Sequence, residues 1–277
     1  MLRALLIRSL QLGGNMKKIS LILVLSLIMC LFASCDFRPN LSQQLISAIK
    51  NDDFDTFEKL LAQNPNLDAN PYIFNLDRVN MPPLHAACFE GKIEFVRRLI
   101  EAGADVNSID RSLKTTPLMV ALTYAYKNGY EIAEFLIESG ADVNIVARSE
   151  TALNKVFVMG LADEQEAYDF AMFLIERGAR IDVGGYGNVI FSAVSGNNLL
   201  MIEYLLKERN VDINFQNNNQ GYTPLIFAVL CNRLQVVEYL INNCADISKT
   251  DANGRTALDI AKENNCTEII ELLNSYQ

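Results

Sequence analysis

The chain has 277 residues, half of them apolar, with 9% aromatics, no Trp and a single His. One imidazole leaves little room for His-based catalysis or a His-rich metal site, so no catalytic residue, no metal ligand and no cofactor is expected. The formal charge is −9, and the first 35 residues carry Arg3, Arg8, Lys17 and Lys18 with no acid, which leaves the remainder at −13; such a balance argues against nucleic acid as a partner and against a polybasic grip on anionic lipid.

From the N-terminus, residues 16–35 read MKKISLILVLSLIMCLFASC. Lys17 and Lys18 form a basic start, and Ile19 to Phe32 form an apolar stretch. The stretch is short for a spanning helix, which needs about 20 apolar residues. It ends in small residues, as a cleavable signal peptide does. The ending Leu31-Phe32-Ala33-Ser34-Cys35 resembles the lipobox of bacterial lipoproteins, with Phe32 where Leu is usual. That resemblance implies a diacylglyceryl group on the Cys35 thiol, cleavage before Cys35 and acylation of the new N-terminus. The alternative is an ordinary Cys at the end of a signal anchor. Residues 1–15 are either a long basic leader or an upstream extension, with Met16 then the start; both routes end at Cys35. One acyl chain holds a membrane marginally, each buried methylene adding about 0.8 kcal/mol, and two or more hold firmly. Asp36 follows, a residue that tends to keep enteric-type lipoproteins in the inner membrane. Residues 36–40 form a short linker, which places the next domain close to the bilayer. The expected location is a bacterial cell envelope, lipid-anchored, with the face left open.

From residue 41 the chain repeats, and repeats set the architecture. Equivalent positions are Pro83, Pro117, Ala152, Val189, Pro224 and Ala257, each 33–37 residues from the next. A divergent first unit begins at Leu45. Seven units result, at about 41–70, 79–110, 113–147, 148–183, 185–217, 220–250 and 253–277. Thr116-Pro117 and Thr223-Pro224 each open a first helix, the Thr capping free amides and the Pro suiting the first helical position. Thr151 and Thr256 keep the cap. Ala86-Ala87 marks a helix that neighbours can approach closely, and Glu90-Gly91-Lys92 marks a turn. Ile93, Val96, Leu99 and Ile100 then form one apolar stripe, as do Leu234, Val237, Leu240 and Ile241. Gly103, Gly140 and Gly178 stop the second helix in a left-handed cap. Unit five departs, with Asn188-Val189 at its start and Arg209-Asn210 at its stop.

These features resemble the ankyrin repeat, and Pro82-Pro83-Leu84-His85 is similar to its Thr-Pro-Leu-His signature. The resemblance covers residues 41–277. It implies an all-α solenoid of about seven helix-turn-helix units joined by hairpin loops, whose core forms only by stacking. Unit one, with Lys50, Asp52, Asp53 and Asp55 in its turn, fits an N-terminal cap. Unit seven, with Lys262, Glu263, Asn264 and Asn265, fits a C-terminal cap. The resemblance also implies that His85 ties neighbouring hairpins by hydrogen bonds. The rival reading, a Cys–His nucleophile pair with Cys88, is weaker than ordinary core filling.

Other chemistry is sparse. Among Cys231, Cys244 and Cys266, only Cys231 and Cys266 are placed to bridge, because Cys244 lies at the far end of a helix about 15 Å long; whether they do stays open. No CxxC supports zinc or thioredoxin-like chemistry. Asp163, Glu164 and Glu166 read as a solvated loop rather than a Ca²⁺ or acid–base site. Gly184-Gly185-Tyr186-Gly187 lacks the Lys-Ser/Thr of a phosphate loop and reads as a turn.

The resemblance implies a protein partner held on hairpin tips and first helices. By register the candidate contacts are Arg111, Ser112 and Lys114; Arg148 and Glu150; Tyr186; Asn218, Asn219 and Tyr222; and Asn253 and Arg255. Units three and four are also longer between their helices: Pro117 to Gly140 spans 23 positions and Ala152 to Gly178 spans 26, against 20 from Pro83 to Gly103. A bulge of Tyr124–Tyr130 and Met159–Tyr168 is expected there, either a neutral insertion into a tolerant loop or an interface with Tyr124 and Tyr126 as contacts, since aromatics mixed with acids occur at interfaces. The functional expectation is a monomeric, non-enzymatic scaffold or adaptor, lipid-anchored through Cys35. The alternatives are an inhibitor or immunity-type protein of an envelope enzyme, and a secreted factor binding host proteins.

Overall fold

A computed structural model describes residues 40–68, 81–124, 128–157, 163–182, 189–217 and 220–276. The signal-like segment and Cys35 lie outside the described residues. Among those described there are fourteen helices and no strand. They come in pairs: α1 (Leu41–Lys50) with α2 (Phe54–Leu61), α3 (Pro83–Phe89) with α4 (Ile93–Glu101), α5 (Pro117–Tyr124) with α6 (Gly129–Glu138), and α7 (Ala152–Lys155) with α8 (Glu164–Glu176). Then follow α9 (Val189–Ser195) with α10 (Leu199–Lys207), α11 (Pro224–Leu230) with α12 (Leu234–Asn242), and α13 (Ala257–Glu263) with α14 (Thr267–Asn274). This is an all-α helical-repeat solenoid. None of the described helices is long and apolar enough to cross a membrane.

Capping starts the helices where the sequence says it should. The Thr223 hydroxyl accepts from the Ile226 amide at 3.1 Å, ahead of Pro224 at the first helical position. Thr256 and Asp259 cap each other: the Thr256 amide donates to Asp259 at 2.9 Å and the Asp259 amide to the Thr256 hydroxyl at 3.2 Å. Such caps satisfy amides that the helix leaves without partners. Second helices use the same device, with Asp53 accepting from Thr56 at 3.0 Å and Asn198 from Met201 at 2.8 Å. The acidic cluster at 163–166, expected as a loop, is instead a helix start. Asp163 accepts from the Glu166 amide at 2.7 Å, and Glu164 and Glu166 fill the first turn of α8. Carboxylates are favourable there because the helix dipole is positive at that end.

Helix stops follow the glycines and their substitutes. Gly140 has φ +95°, and its amide donates to the Ile137 carbonyl at 3.0 Å while that of Ala141 reaches Leu136 at 2.9 Å. This is the left-handed cap in which two otherwise orphaned carbonyls are satisfied. Unit five, which lacks Gly at this stop, places Asn210 at φ +51°, and unit six places Cys244 at φ +66°.

A continuous core runs from Leu45 to Leu273. The inner first helices are mostly buried, and in α3 every residue from Pro83 to Cys88 is inside, whereas α1 and α13 at the two ends bury only about half of theirs. The second helices bury one stripe each. In α4 this stripe is Phe95, Val96 and Leu99, with Ile93 and Ile100 at its rim. In α12 it is Val236, Val237, Leu240 and Ile241, with Leu234 at the rim. Phe95 and Val236 thus join the expected stripe.

The extra residues of units three and four do not stand wholly in a bulge. α6 has 10 residues and α8 has 13, against 9 in α4. Glu, Gln and Ala at 164–167 favour helix, and Asp163 caps it, so the insertion in unit four extends the second helix at its start. The first helix of that unit, α7, has only four residues.

Candidate functional site

Three of the described hairpins are each braced from within by one buried acid or amide. Before unit three, Asp110 accepts from the amides of Ser112, Leu113 and Thr115 at 2.8, 2.6 and 2.9 Å, and from the Thr115 hydroxyl at 3.1 Å. Its side chain is buried. Before unit six, Asn217 accepts from Gln220 and Tyr222 at 3.2 and 3.1 Å. Before unit seven, Asp251 accepts from Asn253 and Arg255 amides at 2.8 and 3.0 Å. The Arg255 guanidinium adds two bonds to Asp251, at 3.0 and 2.7 Å. A short carbonyl-to-amide bridge also closes the hairpins at Ala147–Glu150 and Thr250–Thr256.

His85 joins this bracing. Its Nε2 lies 3.0 Å from the Thr115 carbonyl and donates to it, which fastens unit two to the next hairpin. Burial holds its pKa below the usual value, against the opposing pull of the Thr115 carbonyl and Asp110, so the ring is neutral at pH 7. Cys88 beside it is fully buried, and burial pushes its thiol far up, so no thiolate forms. The burial of the Cys88 thiol, which disfavours its charged form, argues against a Cys–His nucleophile pair. Cys88, Cys231, Cys244 and Cys266 are all free thiols. Among the described residues no group of three or more His, Cys, Asp or Glu could hold a metal ion.

Neighbouring units are fastened by side chains that the sequence reading passed over. The Asn107 amide donates to the Gly140 carbonyl at 3.1 Å and its oxygen accepts from the Asp142 amide at 2.8 Å. Asn144 repeats the contact one unit on, with Gly178 and Arg180 at 2.9 Å each. Asn214 accepts from Asp246 at 2.8 Å. The signal was present in the recurring Ala-Asp-Val-Asn, whose last residue recurs because it fastens two units. A second set of contacts runs along the inter-helix turns: Asn128 to the Gly91 carbonyl at 2.9 Å and Asn198 to the Glu164 carbonyl at 2.8 Å. Asn154, fully buried on α7, reaches the Ser192 hydroxyl at 3.0 Å.

The candidate contacts fall into three groups. Arg111, Lys114 and Arg148 are exposed on two adjoining hairpins, and Arg148 donates to the Ser112 carbonyl at 3.4 Å. Beside them Ile109 and Val146 are 48% and 47% exposed. Tyr222 and Arg255 serve the fold: Tyr222 is half-buried against Phe227, with ring centroids 6.4 Å apart, and Arg255 is bound to Asp251 and to Glu263 at 2.7 Å. Tyr124 is half-buried at the end of α5, against Phe89 at 5.0 Å, and so lies away from the hairpins. Tyr126, Tyr186, Asn218 and Asn219 lie outside the described residues, as does Cys35. The two long units do meet. Tyr130 of α6 stacks on Phe170 of α8 at 4.2 Å and 5°, beside a shallow pocket lined by Glu134, Asp163, Gln165, Glu166 and Asp169. Burial, then Glu166 and Asp163, holds the Tyr130 hydroxyl well above its usual pKa.

Asp251 gives a pH-dependent expectation. Burial raises its pKa, but the Arg255 guanidinium and the amides of Arg255 and Asn253 outweigh it, and the carboxyl is held below its usual 3.8. The unfolded chain then takes up this proton first as pH falls through that value. The stabilisation is complete above about pH 5 and is lost as acid carries the pH toward the folded value. Hydrogen exchange at 251–276 followed from pH 5 to pH 2 should show this hairpin opening ahead of that at Asn217, which carries no such carboxylate. Asp251→Asn should remove the difference.

The ankyrin repeats family model, in three copies, matches residues 45–147, 158–251 and 190–277. Over 198 residues the chain is 30% identical to the ankyrin repeat protein YahD of Escherichia coli strain K12, across 68% of this chain and 92% of that protein. It is 32% identical over 203 residues to alpha-latrotoxin-Lg1a of Latrodectus geometricus, across 70% of this chain and 14% of the toxin. It is 28% identical over 241 residues to palmitoyltransferase AKR1 of Lachancea kluyveri, across 84% of this chain and 30% of the enzyme. The chain thus spans nearly all of the first of these relatives and under a third of each of the other two.

Proposed function

The chain belongs to the ankyrin-repeat family, and from that premise we propose that it is a non-enzymatic protein-binding scaffold held at a bacterial cell envelope by lipid on Cys35. The observation that carries the binding part is the bracing of the hairpins. Asp110, Asn217 and Asp251 consume the inward-facing amides of their loops, so the tip residues stand on fixed bases. A surface already fixed before contact loses little entropy on binding, which is the economy a scaffold needs. The anchoring part is supported by the basic start, the apolar stretch and the small-small-Cys ending at 16–35.

Both parts are testable. Wild type should fractionate with membranes and show the intact mass of an acylated Cys35. Cys35→Ala should be soluble or retain its leader. Identical fractionation of the two proteins, with no acyl mass, would remove the anchor. A photo-crosslinking residue at Ser112 should capture a discrete protein in cells, and the same residue at Glu271, on the last helix, should not. No discrete adduct from either position would remove the scaffold.

A further inference from the structure

We propose that the two adjoining hairpins at residues 108–115 and 145–151 dock an acidic segment of a partner protein, one with aliphatic residues between its carboxylates. This rests on the scaffold reading and names the chemistry of what is bound.

Charge is the first argument. Beyond Cys35 the chain stands at −13, yet these two hairpins present Arg111, Lys114 and Arg148 outward. The carboxylates on the same hairpins are turned to other uses. Asp110 is buried and holds three amides and a hydroxyl. Glu150 is paired with Lys155, whose side chain is mostly covered. Lys114 and Arg148 are thus outward cations on these hairpins within an acidic protein.

Register is the second argument. Lys114 stands two residues before the cap Thr116 with φ +55°. The same place before Thr223 and Thr256 is taken by Gly221 and Gly254, at φ +66° and +76°. A left-handed conformation suits Gly and strains a residue with a Cβ. Arg148 is left-handed as well, at φ +52°. Long cations thus occupy backbone positions that Gly would fill with less strain, and each is held at a hairpin tip.

Apolar exposure is the third. Ile109 and Val146, each about half exposed, flank the cations. Alternating carboxylates and aliphatic side chains complement this mixture. An anionic bilayer does so less well. A plane faces the whole acidic domain, whereas a peptide feels only charges within the screening length, about 8 Å at physiological salt.

The test is fluorescence anisotropy on the full chain with three labelled twelve-residue peptides. One carries Glu and Leu, one Lys and Leu, and one Glu and Ser. Vesicles with 30% phosphatidylglycerol are the fourth probe. The Glu/Leu peptide should bind best, more weakly at 200 mM than at 50 mM salt. Arg111→Glu with Arg148→Glu should weaken it at least about tenfold, the scale of two lost charge contacts. Lys114→Gly should weaken it severalfold while leaving the melting temperature unchanged or higher, which separates binding from folding. Equal affinity in the variants, preference for the Lys/Leu peptide, or capture by vesicles without peptide binding would each overturn the acidic-segment assignment. In those cases the crosslinking at Ser112 still decides the scaffold reading by itself.

Discussion

Leu174→Ala should cost about 3 kcal/mol and divide the unfolding of the array into two transitions. Leu174 is fully buried on α8. Removing three carbons from such a site loses their transfer from water and leaves a cavity that neighbours fill only in part, for about 2–5 kcal/mol in total. The division follows from architecture. In a solenoid each unit touches only its neighbours, so stability is a sum of unit and interface contributions along a line. Unit four has a first helix of only four residues, where the other first helices have seven to ten. It brings the least first-helix surface to its neighbours. Weakening it further uncouples the units before it from those after it. Urea unfolding read by circular dichroism should show one transition for wild type and two for Leu174→Ala. Leu240→Ala, at an equally buried site in unit six, should shift the curve by a similar amount without dividing it. A single transition in both variants would mean that unit four couples as strongly as the rest.

Asp110→Ala should cost about 3 kcal/mol, and Asp110→Asn about 1. The alanine leaves the amides of Ser112, Leu113 and Thr115 without their acceptor in a turn that is buried at Thr115 and half-buried at the other two. Each abandoned donor costs about 1–3 kcal/mol where water cannot replace the bond, and partial rearrangement recovers some of that. Asparagine keeps an acceptor, as Asn217 does before unit six. The damage should be local. The Thr115 carbonyl that receives His85 moves with the hairpin, so exchange at the Thr115 amide should rise by orders of magnitude while that of α13 stays the same. Similar losses for both substitutions would show that charge, not acceptor geometry, braces the turn.

The repeat was legible because it is written in local terms. Thr before Pro, an apolar stripe and Gly at the stop are each decided within a few residues, by capping, burial and left-handed geometry. Even the departures in unit five are absorbed locally, since Asn210 takes the left-handed place of Gly. Apart from the His85 tie that the resemblance implied, the contacts between units were not legible. Asn107 and Gly140 are 33 residues apart, and Asn154 and Ser192 are 38 apart. Nothing within a single unit shows that these side chains reach across. Nothing local to the sequence marks Asp110 or Asp251 for burial, which is a consequence of stacking. Arg255 was a plausible tip by register, but Asp251 four residues back holds it. The cluster at Asp163 failed for a different reason. Its residues suit a loop and a helix start equally, and the insertion hid which of the two the unit would use.

The seam of asparagines along the helix stops has a gap. Asn107 and Asn144 each clasp the following unit, and Asn214 does so again. In unit four the corresponding residue is Asp182, whose carboxylate is held by Arg180 of its own turn at 3.1 Å. On the other edges the joint between units four and five is latched, by Asn198 to Glu164 and by Asn154 to Ser192. Among the described residues this joint is fastened along two edges and not at the helix stops, which gives it one soft axis. Under load it opens like a door, the helix-stop edge swinging wide while the turn edge serves as the hinge pin. A pull on the array would therefore be taken up as rotation at this one joint before any helix stretches.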